Sequence, residues 1–90
     1  MSLTVIDGRK MTDRRAAHEY LAEVLSLPAY YGYNLDALHD CLTDGCSAGI
    51  VLIRHAAHIR RSLLGYGDTL IEVFEEAAEE GGPAVIVTEN

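Results

Sequence analysis

A chain of 90 residues, 49% hydrophobic and 23% charged, has ordinary globular composition and the length for one core, not two. It holds no apolar run long enough to span a bilayer, and its opening, MSLTVIDGRK, puts positive charge after a four-residue apolar patch, the reverse of a secretory leader. The net charge of −7 points away from direct binding of RNA or DNA, whose phosphates repel such a chain, and towards a cation or a basic protein.

The first element is a strand at Leu3–Ile6, a short run with no polar alternation. A helix is expected after Thr12 as N-cap, with Ala16, Ala17, Tyr20, Leu21, Val24 and Leu25 as its apolar face and Pro28 as its stop. A second helix starts at Asn34, a good cap, and stops at Gly45, a residue suited to left-handed backbone. A second strand follows at Ile50–Ile53, then a short helix from about His55 to Leu64. The last helix begins near Asp68 or Thr69 and ends at Gly81-Gly82-Pro83, burying Leu70, Ile71, Val73, Phe74, Ala77 and Ala78. Ala84–Val87 closes the chain as a third strand. The class is α/β, and the three unalternating runs suit parallel strands buried on both faces.

The charges are laid out unevenly. Arg9, Lys10, Arg14 and Arg15 form one basic stretch and Arg54, Arg60 and Arg61 the other, so residues 16–53 and 62–90 carry acids without a lysine or arginine. Two helices fall in these base-free segments. On the second helix, Leu35, Leu38 and Leu42 turn to one side with Cys41 at its edge. His39, Thr43, Asp36 and Asp40 spread over the other, across an arc of roughly 100°. Asp36 and Asp40 are four apart and repel, by roughly 0.2–0.5 kcal/mol. Asp40 and Asp44 also approach the negative end of the helix dipole, where a cation would be favourable. On the last helix, Glu72, Glu75, Glu76, Glu79 and Glu80 cover the side away from Phe74, again without lysine partners. Taken alone, either face is an ordinary solvated surface.

The smaller signals are weak. Cys41 and Cys46 cannot make a secreted disulfide framework and lack C-x-x-C spacing, so they read as reduced thiols in a cytoplasmic setting. Cys41 reads as a partly buried small residue. His55 and His58 are three apart but have no acidic or cysteine companion, which suits partial burial at the sheet's edge rather than a metal. His18 gives no signal.

The stretch LPAYYGYNLDALHDCLT, from Leu27 to Thr43, resembles the barstar family, intracellular inhibitors of the secreted ribonuclease barnase. Weaker similarity runs through TVIDG, IVLI and VFEEAAEEG, so the resemblance covers residues 1–90 as a single domain without large insertions. It implies a three-stranded parallel sheet packed with about four helices, and a cytoplasmic, non-catalytic immunity protein that needs no cofactor. The implied partner is a small basic extracellular-type ribonuclease, not nucleic acid or membrane, and the free chain is expected to be a monomer. Carried over, Asp40 anchors in the nuclease's phosphate pocket and Asp36 pairs with basic groups at its rim. Tyr30 packs against the catalytic side of the cleft, Thr43 adds a polar contact, and Glu76 supplies a further acid. Tyr31 is assigned to packing, and Tyr33 and Asn34 to the rim. Two departures matter. The family has tryptophan at the position of His39, and Gly-Trp at that of Asp44-Gly45, which implies a reshaped rim and a nuclease other than barnase. Two alternatives stay open: a barstar-like module for a partner that is not a ribonuclease, and a small metal-dependent enzyme using Asp36, His39 and Asp40. The second has little to exclude water on an open helix face.

Overall fold

The computed structural model describes residues 2–44 and 49–90. Strands β1 (Leu3–Asp7), β2 (Ile50–Arg54) and β3 (Ala84–Val87) form one parallel sheet in the order β1-β2-β3, with Ile6 beside Ile53 and Val51 beside Val85. Helices α1 (Arg14–Val24) and α2 (Leu35–Thr43) lie between the first two strands, and α3 (Ala56–Leu63) and α4 (Gly65–Glu79) between the last two. This is the α/β architecture of three parallel strands and four helices that the sequence pattern and the resemblance imply.

Alternation along the strands divides the sheet into two unlike faces. Ile6, Val51 and Ile53 point into the core and are fully buried with Met11, Leu21, Leu38, Leu42, Ile59, Leu70 and Phe74. On the opposite face lie Leu3 and the row Val5, Leu52 and Ile86, paired across the sheet; Leu3 is 60% and Ile86 52% exposed. The expectation of strands buried on both faces therefore fails. Both faces are apolar, but the described residues cover only one.

The helix ends follow from local chemistry, with three corrections to the sequence reading. Asp13, not Thr12, caps α1, its carboxylate accepting the Ala16 N–H at 2.8 Å. Its C-terminus is closed by Ser26 in left-handed backbone (φ 52°), with Leu27 N–H donating to the Ala22 carbonyl at 2.9 Å, so the helix stops before Pro28 acts. Helix α4 begins at Gly65, ahead of the expected Asp68 or Thr69. A Cβ on Gly67 would lie 2.7 Å from the Ile59 carbonyl oxygen. Glycine here lets α4 start directly against α3. The first amides of α3, those of Ala56 and Ala57, are capped by the Thr88 and Glu89 carbonyls beyond β3. Arg60 holds the same segment with a fork to Glu89 at 3.2 Å and a bond to Asp68 at 2.7 Å. At the end of β1, Arg9 bonds the Asp7 carboxylate through its side chain and backbone and brings the Asp7 pKa down to about 2.

Candidate partner-binding surface

The surface begins at a buried histidine. His18 sits on the inner side of α1, with Nδ1 2.5 Å from the Tyr31 hydroxyl and Nε2 2.6 Å from the Tyr66 hydroxyl. Burial pushes its pKa down, so the ring is neutral at physiological pH, with one nitrogen donating and the other accepting. Burial likewise keeps the Tyr31 phenol protonated by raising its pKa. Tyr31 thus goes inward and is fixed at its tip. Its neighbours have nowhere to go but out: Tyr30 is 85% exposed and Tyr33 53%. Tyr33 has left-handed backbone (φ 55°) and rests its ring on Tyr31, centroids 5.2 Å apart. Asn34 then turns the chain into α2, accepting the Ala37 N–H at 2.8 Å and donating to the Gly32 carbonyl at 3.1 Å.

On α2, Leu38 and Leu42 are buried while Asp36 and Asp40 face solvent. The Asp40 side chain is 85% exposed, and its nearest positive candidate is Nδ1 of His39 at 3.9 Å. Among the described residues, no lysine or arginine pairs with either aspartate. The arc read from the helical wheel is therefore only partly open. His39 is half-buried, and its Nε2 donates to Glu80 on the last turn after α4, at 2.8 Å. A carboxylate only accepts, so Nε2 carries the proton, and protonation of Nδ1 adds a favourable interaction with Asp40. The hydrogen bond to Glu80 is the main cause of a raised His39 pKa, with the charges of Glu80, Asp40 and Glu76 acting in the same direction and desolvation against it. The Thr43 hydroxyl is half-buried and donates back to the His39 carbonyl at 2.9 Å. Asp44 caps the helix through its backbone and is exposed; Gly45 and Cys46 lie outside the described residues.

What brings α4 to this face is the turn that ends it. Gly81 takes φ 94°, and Gly82 N–H donates to the Ala77 carbonyl at 2.8 Å. A Cβ on Gly82 would lie 2.8 Å from the Ala77 oxygen and 2.9 Å from the Leu42 oxygen. Only glycine lets the end of α4 pass so close to the end of α2, and that approach carries Glu76 and Glu80 to His39. Tyr30, Tyr33, Asp36, Asp40 and Glu76 are all exposed, and His39 is clasped to Glu80. Asp36, His39 and Asp40 do not converge on a point. Among the described residues, no three His, Cys, Asp or Glu side chains are placed to hold a metal ion.

Two participants escaped the sequence reading. His18 shares a face with Leu21 and Leu25, three and seven positions on, so helical spacing alone marks it as buried. Glu80 carries no such signal, because its partner is 41 residues away.

A family model described as "Barstar (barnase inhibitor)" matches residues 1–88. The chain belongs to the barstar family. A curated relative in Bacillus subtilis (strain 168), named "Putative ribonuclease inhibitor YrdF", is 40% identical over 81 residues, covering 89% of each chain. No helix is long and apolar enough to cross a membrane among the described residues of this barstar-family chain.

Proposed function

We propose that this protein inhibits a small basic ribonuclease by covering its active site with α2 and the loop before it. The observation that carries the reading is the pair of exposed carboxylates, Asp36 and Asp40, left without a cation on a helix whose other side is locked in the core. In the free chain that pairing is unfavourable. A cluster of arginines and lysines shaped to hold RNA phosphate relieves it, through charge-assisted hydrogen bonds in a site that excludes water. Asp40 enters the phosphate pocket, and Asp36 pairs at the rim. Tyr30 supplies a nearly free ring held out by the burial of Tyr31, and Tyr33, Asn34, Thr43, Asp44 and Glu76 border the contact. Inhibition is occlusion; no bond is made or broken, and the protein needs no cofactor and is not an enzyme. It acts in the cytoplasm as a monomer, protecting the cell that makes the nuclease. Family membership and the inhibitor name of the Bacillus relative support this reading.

His39 marks a difference in partner. A ring turned to Glu80 contributes less free contact area than an outward aromatic side chain, so the preferred nuclease differs from barnase at that point. The test is co-purification from the native host followed by an RNA-cleavage assay. A small basic ribonuclease should be recovered, and its activity should fall stoichiometrically with added inhibitor. Asp40→Ala should weaken the complex most, Asp36→Ala and Tyr30→Ala less, and Glu75→Lys little. Added salt should slow association more than it speeds dissociation. Recovery of a partner without ribonuclease activity would instead favour a module for another protein.

A further inference from the structure

Tyr33 also lines a cleft of different character. It has a volume of about 510 Å³, opens at the first turn of α1, and is lined by Arg14, Arg15, His18, Glu19, Tyr33 and Tyr66. Its size is that of pockets that hold small molecules. Glu19 reaches Arg15 at 3.5 Å, whereas Arg14 has no acidic partner among the described residues. The Arg14 guanidinium lies instead over the Tyr66 ring, 4.2 Å from its centroid. In a chain of net charge −7, this cleft keeps one cation in excess. Both arginines occupy the first helical turn, where the dipole favours acids; the pair with Glu19 offsets this for Arg15 and the stack on Tyr66 for Arg14.

The aromatic walls are fixed. His18 forms the floor and spends both ring nitrogens on hydroxyls, one on Tyr66 and one on Tyr31, against which Tyr33 rests. It orients the rings and contributes no charge of its own. A half-exposed flat ring, an unpaired guanidinium and a second arginine close by are the groups that recognise a planar aromatic system bearing an anion.

We propose that this cleft binds a small aromatic anion of the nucleoside monophosphate class, with the phosphate on Arg14 and Arg15 and the base against Tyr33. The proposal needs no nuclease, so it stands or falls separately from the inhibitor reading. The experiment is an NMR titration of the whole chain at low salt with adenosine 5′-monophosphate, and in parallel with adenosine and with inorganic phosphate. The monophosphate should shift the Tyr33 and Tyr66 ring signals and the Arg14 side-chain N–H, and these shifts should saturate. Adenosine and phosphate should each bind at least about tenfold more weakly, because each forfeits one of the two contacts. Arg14→Ala, at an exposed position and with its fold checked by thermal melting, should weaken the monophosphate by about tenfold or more. Tyr33→Leu should erase the preference for the monophosphate over phosphate. Equal binding of phosphate and monophosphate overturns the proposal. So does an unchanged affinity in Arg14→Ala, or the absence of saturation up to ~10 mM, beyond the millimolar range of a two-contact site.

Discussion

Replacing Asp40 by alanine should separate binding from folding. In the free chain the carboxylate is 85% exposed, repels Asp36 one turn earlier, and lies in the last turn of α2 against the dipole. Removing it therefore relieves about 0.2–0.5 kcal/mol of like-charge repulsion and roughly 0.3–1 kcal/mol of dipole cost. A net gain of about 0.5–1.5 kcal/mol corresponds to a melting temperature higher by about 2–12 °C in a domain of this size. In the complex the sign reverses. The partner's guanidinium or ammonium groups would be left desolvated and unpaired, at a cost of about 3–5 kcal/mol, or ~150- to 4,500-fold in affinity. The assay is thermal melting of the free variant beside inhibition of the co-purified ribonuclease by wild type and variant. A variant that melts higher and inhibits at least a hundredfold less well meets the expectation. A melting temperature lowered by several degrees would make Asp40 a folding residue, and an affinity changed by less than tenfold would place it outside the contact. Either result contradicts the role assigned to Asp40.

The clasp between His39 and Glu80 raises the His39 pKa above its ordinary 6.5, so its stabilisation is fully present below pH 6.5 and is lost as pH rises through the folded-state value. Glu80→Gln should lower the melting temperature at pH 6 and leave it nearly unchanged at pH 9; equal effects at both would show that the pair carries no charge. Asp7, held at about 2 against an ordinary 3.8, stabilises the fold above pH 3.8 and loses that contribution as pH falls through about 2. Asp7→Asn should flatten this acid limb of the stability curve, measured by denaturant unfolding between those values. Phe74 is fully buried, so Phe74→Ala should cost about 3–5 kcal/mol and lower the melting temperature by roughly 12–40 °C, checked by calorimetry.

Much of this architecture is legible in the sequence because it is local. The three apolar runs become the three strands within a residue at either end, and Asn34 caps α2 as its side chain and position dictate. The division of α2 into Leu38 and Leu42 inside, with Asp36 and Asp40 outside, follows from helical spacing alone. What sequence reasoning misses depends on contacts between distant elements. Glu80 looks like one more solvated glutamate until the Gly81-Gly82 turn brings it to His39. Nothing local to Gly67 tells that Ile59 leaves no room for a Cβ there. The apolar runs of β1 and β3 read as buried on both sides, since composition cannot say whether a second layer arrives to cover Leu3, Val5 and Ile86. His18 was missed although spacing could have marked it as buried, and its two hydroxyl partners, 13 and 48 residues away, carry no local signal.

The central claim is that the acidic face of α2 fills a ribonuclease's catalytic cleft. Its most direct test is cleavage of a dinucleotide, a substrate too small to need anything beyond that cleft, by the co-purified nuclease saturated with this protein. Complete loss of turnover, restored by Asp40→Ala at the same concentration, is the predicted result. Dinucleotide cleavage at the free enzyme's rate within the intact complex would contradict it.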